Sequence, residues 1–324
     1  MKSSHLFASV FGIVTAALTT LPCGAAETVK RVAFLDGPIA DKYVGGLTRS
    51  FTETAKADGF EVLVVQSPFD PALQARQLDD AISQKVDAIA MMIMSQKALI
   101  PALTRAKEAH IPVILINTEI PNEDLYTAFV GEDGMNLGGM AGKAMADGLK
   151  DRSSAKVAII AGSMDEGVAP VRVAGFKKAF EAAHPGFSVV AVEETHWAPP
   201  EAERAAGQLL ARFSSQGGLD GIYGMNDPLA NGAVQAAQSA GVKLGAGKNE
   251  LVIVGGNCLA MGIQDIEQGT MYATVYWTPV NMGRDAANTV KKILDGQPVP
   301  KKQSRSLDII TKANVDKYKK ECTF

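Results

Sequence analysis

The chain has 324 residues, 47% of them hydrophobic, and a formal net charge of −3 with both signs interspersed. That excludes a disordered polypeptide and a nucleic-acid binder built on a basic patch, and it leaves room for two domains of ordinary size. Three cysteines and four histidines occur, without CxxC or HExxH spacing, so no metal framework and no cofactor loop is expected.

Residues 1–26 read as a secretory signal peptide: Lys2, an apolar run from Leu6 to Leu21, then Gly24 and Ala26 at −3 and −1. An uncleaved anchor and a lipoprotein at Cys23 are the competing readings; Thr20-Leu21-Pro22 is a poor lead-in for the second. No later apolar run reaches about 18 residues, so the mature chain is not expected to span a membrane. Cys258 and Cys322 remain after cleavage. They can pair in an oxidising compartment. One ends a strand and the other lies in a charged tail, so the sequence assigns no bond.

From Val29 onward, short apolar runs alternate with helical spacing. Strands are predicted at Val29–Leu35, Phe60–Val65, Ala88–Ile93 and Pro112–Ile116, with helices at Gly46–Asp58, Ala72–Gln84 and Lys97–Ala109. The alternation then repeats. Helices are predicted at Leu137–Leu149, Val173–Ala183, Glu201–Phe213 and Leu229–Ala240, and strands at Lys156–Ala161, Phe187–Val192, Leu219–Met225 and Leu251–Gly255. The strands are apolar throughout, as burial under helices on both faces requires. Two βαβ arrays with parallel sheets fit the length better than one very wide sheet. The late runs Ala273–Trp277, Met282–Leu294, Val299–Lys302 and Leu307–Ile310 can rejoin either lobe.

Ligands of open α/β sheets bind beyond the C-terminal strand ends. Asp36, Asp41 and Tyr43 lie there, as do Asn117, Thr118 and Glu119, then Arg172, then His196 and Trp197, then Asn226 and Asp227, Asn257, and Trp277. Three amides after three strands, both tryptophans of the chain and a forked guanidinium suit a small polyhydroxylated ligand. Each has a plainer reading. An Asn can close its own turn. Trp197 can cover a loop, Trp277 can be hinge-side core, and Arg172 can pair with Asp165 or Glu166 at the surface. Asp227 reads as a helix cap. No GxSxG elbow or P-loop occurs, and no catalytic set is assigned. Drawing Asp36, Asp41 and Glu119 into a two-carboxylate hydrolase is the enzymatic alternative.

The segments Val130-Gly131-Glu132-Asp133-Gly134-Met135-Asn136-Leu137-Gly138-Gly139, Arg172-Val173-Ala174-Gly175-Phe176, Asn226-Asp227-Pro228-Leu229-Ala230-Asn231-Gly232-Ala233 and Gly255-Gly256-Asn257 occur in that order. In this they resemble the ribose-binding type of periplasmic sugar-binding proteins of ABC importers. The resemblance implies a type I periplasmic binding protein fold, with two Rossmann-like lobes and parallel central sheets joined by a multi-strand hinge. The lobes would be 27–131 plus 278–305 and 132–277 plus 306–324. It implies a periplasmic monomer that binds a small polyhydroxylated ligand and docks on a membrane ABC permease, with a chemoreceptor as a further partner. The family's ligand contacts fall on Asp41, Tyr43, Asn117, Thr118, Arg172, Trp197, Asn226, Asn257 and Trp277. Two family carboxylates are amides here, Asn117 and Asn257; an arginine is Thr118 and the hinge glutamine is Trp277. Losing carboxylates beside Arg172 makes a sugar acid credible. The bulkier aromatic set can instead shrink the cleft around a small polyol. A receptor for an autoinducer or nucleoside is the non-sugar alternative.

Overall fold

Continuous apolar strands need cover on both faces, and the computed structural model supplies it twice. It describes residues 1, 29–68, 70–165 and 167–323, so the proposed signal peptide lies outside the described residues apart from Met1. The first sheet is built from β1 (Arg31–Asp36), β2 (Glu61–Gln66), β3 (Ala88–Met92), β4 (Val113–Ile116), β5 (Ala128–Val130) and the late β11 (Lys302–Gln303). Its order is β11-β5-β4-β3-β1-β2, all parallel. Helices α1 (Lys42–Ala57), α2 (Pro71–Ser83) and α3 (Ile100–Glu108) connect its early strands.

The second sheet repeats the plan. It comprises β6 (Ala155–Ala161), β7 (Phe187–Glu194), β8 (Gly221–Gly224), β9 (Val252–Val254), β10 (Ala273–Tyr276) and β12 (Asp308–Thr311), in the order β12-β10-β9-β8-β6-β7. Only β12 runs antiparallel to its neighbour. Helices α4 (Gly134–Gly148), α5 (Val168–Ala183), α6 (Pro199–Ser214), α7 (Asp227–Ser239) and α8 (Ala260–Gln268) cover it. The chain then returns through α9 (Pro279–Leu294), which packs on α1, and ends in α10 (Val315–Cys322). It crosses between sheets after β5, after β10 and after β11. No helix among the described residues is long and apolar enough to cross a membrane.

Several helices begin earlier than their apolar spacing predicts, because polar caps and glycines set the start. Asp41 caps α1 by accepting from the backbone N–H groups of Tyr43 and Val44, and Asp133 caps α4 through Asn136 N–H. Arg172 accordingly lies inside α5 and not at its start. Some elements, among them β5, α8 and α10, escape the sequence reading. β5 spans three residues, too few for a periodic signal. The charged tail hides α10, whose Val315, Tyr318 and Cys322 share a buried face.

Helices α4 and α5 meet at backbone distance. A Cβ on Gly138 would stand 2.1 Å from the Arg172 carbonyl oxygen, and one on Gly175 would stand 2.1 Å from that of Met135. The glycines of these two helices therefore fix the position of Arg172. Cys258 and Cys322 form a disulfide, with Cα atoms 5.1 Å apart. The contrast in sequence context that gave no pairing is resolved by α10, which folds back beside the end of β9.

Candidate functional site

Both sheets present their C-terminal strand ends to the space between the lobes. An inner chamber of about 370 Å³ lies there. Asp41, Tyr43, Asn117 and Thr118 line it from one lobe, and Arg172, Trp197, Asn226 and Asn257 from the other. Trp277 stands apart. It is buried beyond the chamber and lines a cavity of about 280 Å³ with Val130 and Gln303. Its indole N–H lies near the Tyr43 phenol, on which it acts as a donor would, without closing a well-formed hydrogen bond.

The chamber wall is held by unusual backbone. Seven described non-glycine residues have positive φ, and five of them stand at these strand ends: Asn117, His196, Trp197, Asn257 and Cys258. Such conformations persist where the surroundings impose them, and they cluster at functional sites. Asn117 and Asn257 are matched. The N–H of Asn117 donates to Val130 O at 3.0 Å, and that of Asn257 donates to Val275 O at 3.1 Å. Their side chains differ. Asn117 Oδ1 accepts from the Tyr43 hydroxyl at 3.1 Å, whereas Asn257 Oδ1 is buried with no partner within the protein. Asn226 is part cap and part wall: its Oδ1 accepts from Leu229 N–H at 2.9 Å, capping α7. Trp197 lies against Gly162, where a Cβ would overlap the indole at 1.9 Å.

Arg172 is not a surface charge paired with Asp165. Its side chain is buried against Glu132, in the first crossing between lobes. Nε donates to Glu132 Oε1 at 2.7 Å, Nη2 donates to the same oxygen, and Nη1 donates to Met225 O at 3.3 Å. Burial pushes the Glu132 carboxyl up, and the guanidinium pulls it part of the way back. Burial is the largest influence on Arg172 and by itself would lower its pKa, but the Glu132 charge and hydrogen bond, with the Tyr223 and Tyr43 phenols, together outweigh it and the net shift is upward. The guanidinium centre also lies 5.8 Å from the Trp197 ring centroid. Burial raises the Tyr43 phenol far above its usual range, so it acts as a neutral hydroxyl.

Asp227 is not the helix cap; Asn226 is. The buried Asp227 carboxylate instead accepts from Leu259 N–H and Thr274 Oγ1, both at 2.6 Å, tying α7 to α8 and β10. Asp36 does similar work in the other lobe, accepting from Gly37 N–H and Thr48 Oγ1, each at 2.8 Å. The carboxylates of the hydrolase alternative therefore do not converge. Asp36 is core, Asp41 lines the inner chamber, and Glu119 lines an outer chamber of about 550 Å³. There Glu119 accepts from the Tyr126 hydroxyl at 2.5 Å and pairs with Lys302 at 2.7 Å. At the mouth, Gly167 N–H donates across the lobes to Gln96 Oε1 at 3.3 Å.

The sequence did not mark Met92, Ile93 and Met94, which add an apolar wall at the end of β3. A continuous apolar strand gives no sign of where core ends and cleft begins. Glu132 was visible only as part of a motif. Among the described residues no cluster of three or more ligating side chains could hold a metal.

Comparison with known proteins agrees with this geometry. The periplasmic binding protein domain family matches residues 34–298. The ribose import binding protein of Haemophilus influenzae is 27% identical over 86% of this chain and 89% of its own length. The xylitol-binding protein of Mycolicibacterium smegmatis is also 27% identical, over 81% of this chain and 72% of its own. Among solved structures, an ABC transporter periplasmic solute binding protein from Actinobacillus succinogenes, with bound D-allose, superimposes with a TM-score of 0.80. It is 24% identical, over 89% of this chain and 100% of that one. The chain belongs to the periplasmic binding protein family, in its ribose-binding-like type I branch, and is a binding protein rather than an enzyme.

Proposed function

Given that membership, we propose that the protein captures a small sugar or polyol between its lobes in the periplasm and delivers it to an ABC permease. The observation that carries this reading is the convergence of eight residues from two lobes on one chamber of about 370 Å³. That volume suits a monosaccharide-sized solute. Trp197 offers a flat face to C–H groups, while Asn257 Oδ1 and the remaining Arg172 N–H groups offer hydrogen bonds to hydroxyls. Met92, Ile93 and Met94 favour a ligand with an apolar face.

Capture follows from geometry. A ligand touching only one lobe leaves the other free to rotate. A ligand touching both favours the closed form by its differential affinity for the two forms, and by no more than that. The relatives support the ligand class: one is named for ribose and another for xylitol, and the D-allose complex shares the fold.

Thermal-shift screening of pentoses, hexoses and polyols, with native mass spectrometry of the purified protein, tests the reading. A stabilising compound recovered unchanged is the expected result. If nothing in these classes binds, or if a compound is consumed, the sugar-receptor reading falls.

A further inference from the structure

The buried guanidinium of the cleft arrives already neutralised. Glu132 and Arg172 come from the first lobe crossing and from α5, and both side chains are withdrawn from solvent. Glu132 lines the outer chamber and Arg172 the inner one, so the carboxylate approaches the guanidinium from the side away from the inner chamber. Of the five N–H groups a guanidinium carries, the protein engages one on each nitrogen. One N–H on each Nη is left for a ligand, and its charge is already balanced.

Among the described residues that line the inner chamber, no lysine and no second arginine occurs. Asp41 is its remaining formally charged carboxylate, and Ser163, Thr118 and the amides are neutral. His196 also lines the chamber, with Nδ1 3.3 Å from a Glu194 carboxylate oxygen. A carboxylate or phosphate on the ligand would meet Asp41 on one wall and Glu132 behind Arg172. Like charges so placed repel strongly where water is thin. A hydroxyl gains two oriented donors without that repulsion.

We propose that Glu132 sets the charge specificity of the cleft, holding Arg172 as a neutral pair so that the inner chamber takes uncharged sugars and polyols and rejects sugar acids. This rests on the sugar-receptor reading above and narrows it. Glu132 acts through Arg172 and is a positioning residue.

Calorimetric titration of the purified protein with matched pairs tests it: D-ribose and D-ribonate, D-galactose and D-galacturonate, D-glucose and D-glucuronate. Xylitol and myo-inositol serve as neutral polyols. In the wild type, each neutral sugar that binds is expected to bind at least about tenfold tighter than its acid. Glu132→Gln keeps a hydrogen-bond acceptor and removes the charge; it should move the acid-to-neutral ratio at least about tenfold toward the acid. Glu132→Asp keeps the charge and should hold the wild-type ratio. A purely structural role would weaken both members of a pair alike.

A wild type that binds an acid as tightly as its neutral partner overturns the inference and leaves the receptor reading standing. So does a folded Glu132→Gln protein with an unchanged ratio. If Glu132→Gln does not fold, the wild-type and Glu132→Asp ratios decide by the same tenfold criterion. Binding of no compound in either class removes the sugar-receptor reading and this inference with it.

Discussion

Asn117 and Asn257 occupy one position in two copies of the same plan, after the fourth strand of each sheet, yet they meet the cleft differently. In the N-terminal lobe the amide is engaged by the Tyr43 hydroxyl, and the neighbouring wall is the apolar end of β3. In the other lobe Asn257 Oδ1 is buried without a partner within the protein. Beside it stand the Arg172–Glu132 pair and Trp197, and Cys258 is tied to α10. The same topology thus gives one wall that is largely satisfied internally and one that is rigidly held with polar capacity unspent. On the proposed sugar-receptor reading, specific polar recognition is concentrated in the second lobe and the first supplies mainly shape.

Removing Arg172 should break this asymmetry most severely. Arg172→Ala leaves a buried carboxylate uncompensated, which typically costs about 3–5 kcal/mol of stability. Loss of a buried charged donor should cost at least about 2 kcal/mol in ligand affinity. Denaturant unfolding and calorimetry measure the two separately. Wild-type affinity in a folded Arg172→Ala protein would remove Arg172 from the binding wall. Asn117→Ala, on the other lobe, should cost less on both counts.

Next in size is the disulfide, which spans 64 residues and anchors the loop that carries Asn257. Cys322→Ser should cost about 2–4 kcal/mol of stability. It should also weaken binding, because the positive φ of Asn257 and Cys258 is imposed by surroundings that include this bond. Reduced wild-type protein should behave like the variant. An unchanged Tm on reduction would show that α10 holds the loop by packing alone.

Much of the fold is legible in the sequence for a simple reason. A strand buried on both faces must be apolar along its length, and the strand ends then locate the cleft without any knowledge of contacts. That logic found Tyr43, Asn117 and Trp197. It could not find what depends on pairing across the chain. Arg172 and Glu132 are 40 residues apart in sequence, and the backbone approach of α4 to α5 brings them together. Glycines signal such an approach but do not name the partner. Nor does sequence distinguish Asn226, which caps its own helix, from Asn257, which does not. The same blindness made Asp227 look like a cap.

The two buried carboxylates give the lobes separable acid–base signatures. Burial pushes both Asp36 and Asp227 up to about 7, against the opposing pull of their hydrogen bonds. Their unfolded values lie near pH 4. Between these limits the folded protein binds more protons than the unfolded chain, so stability falls as pH rises. Each contribution is fully present below about pH 4 and is lost as pH passes about 7. Tm measured from pH 4 to 8 should therefore carry two shares of negative slope. Asp36→Asn should remove one share and Asp227→Asn the other; an unchanged slope in either variant would assign that share elsewhere.

The smallest expected effect is the most discriminating for the comparison between lobes. Tyr43→Phe removes the hydroxyl that engages Asn117 Oδ1 at 3.1 Å and touches Met282 Sδ at 3.8 Å, while keeping the ring that packs beneath the cleft. A neutral hydrogen bond of this kind is worth about 0.5–1.5 kcal/mol net. Asn117 lines the chamber, where water or ligand can take the vacated position, so the loss should fall in the lower half of that range. If the first lobe supplies shape, affinity should drop by no more than about fivefold, because the ring and the apolar end of β3 are intact. A loss as large as that of Arg172→Ala would mean that the phenol hydroxyl contacts the ligand itself and that polar recognition is shared between the lobes. A gain in affinity would mean that the Tyr43–Asn117 bond competes with the ligand for the amide, and that the satisfied wall must open before it can bind.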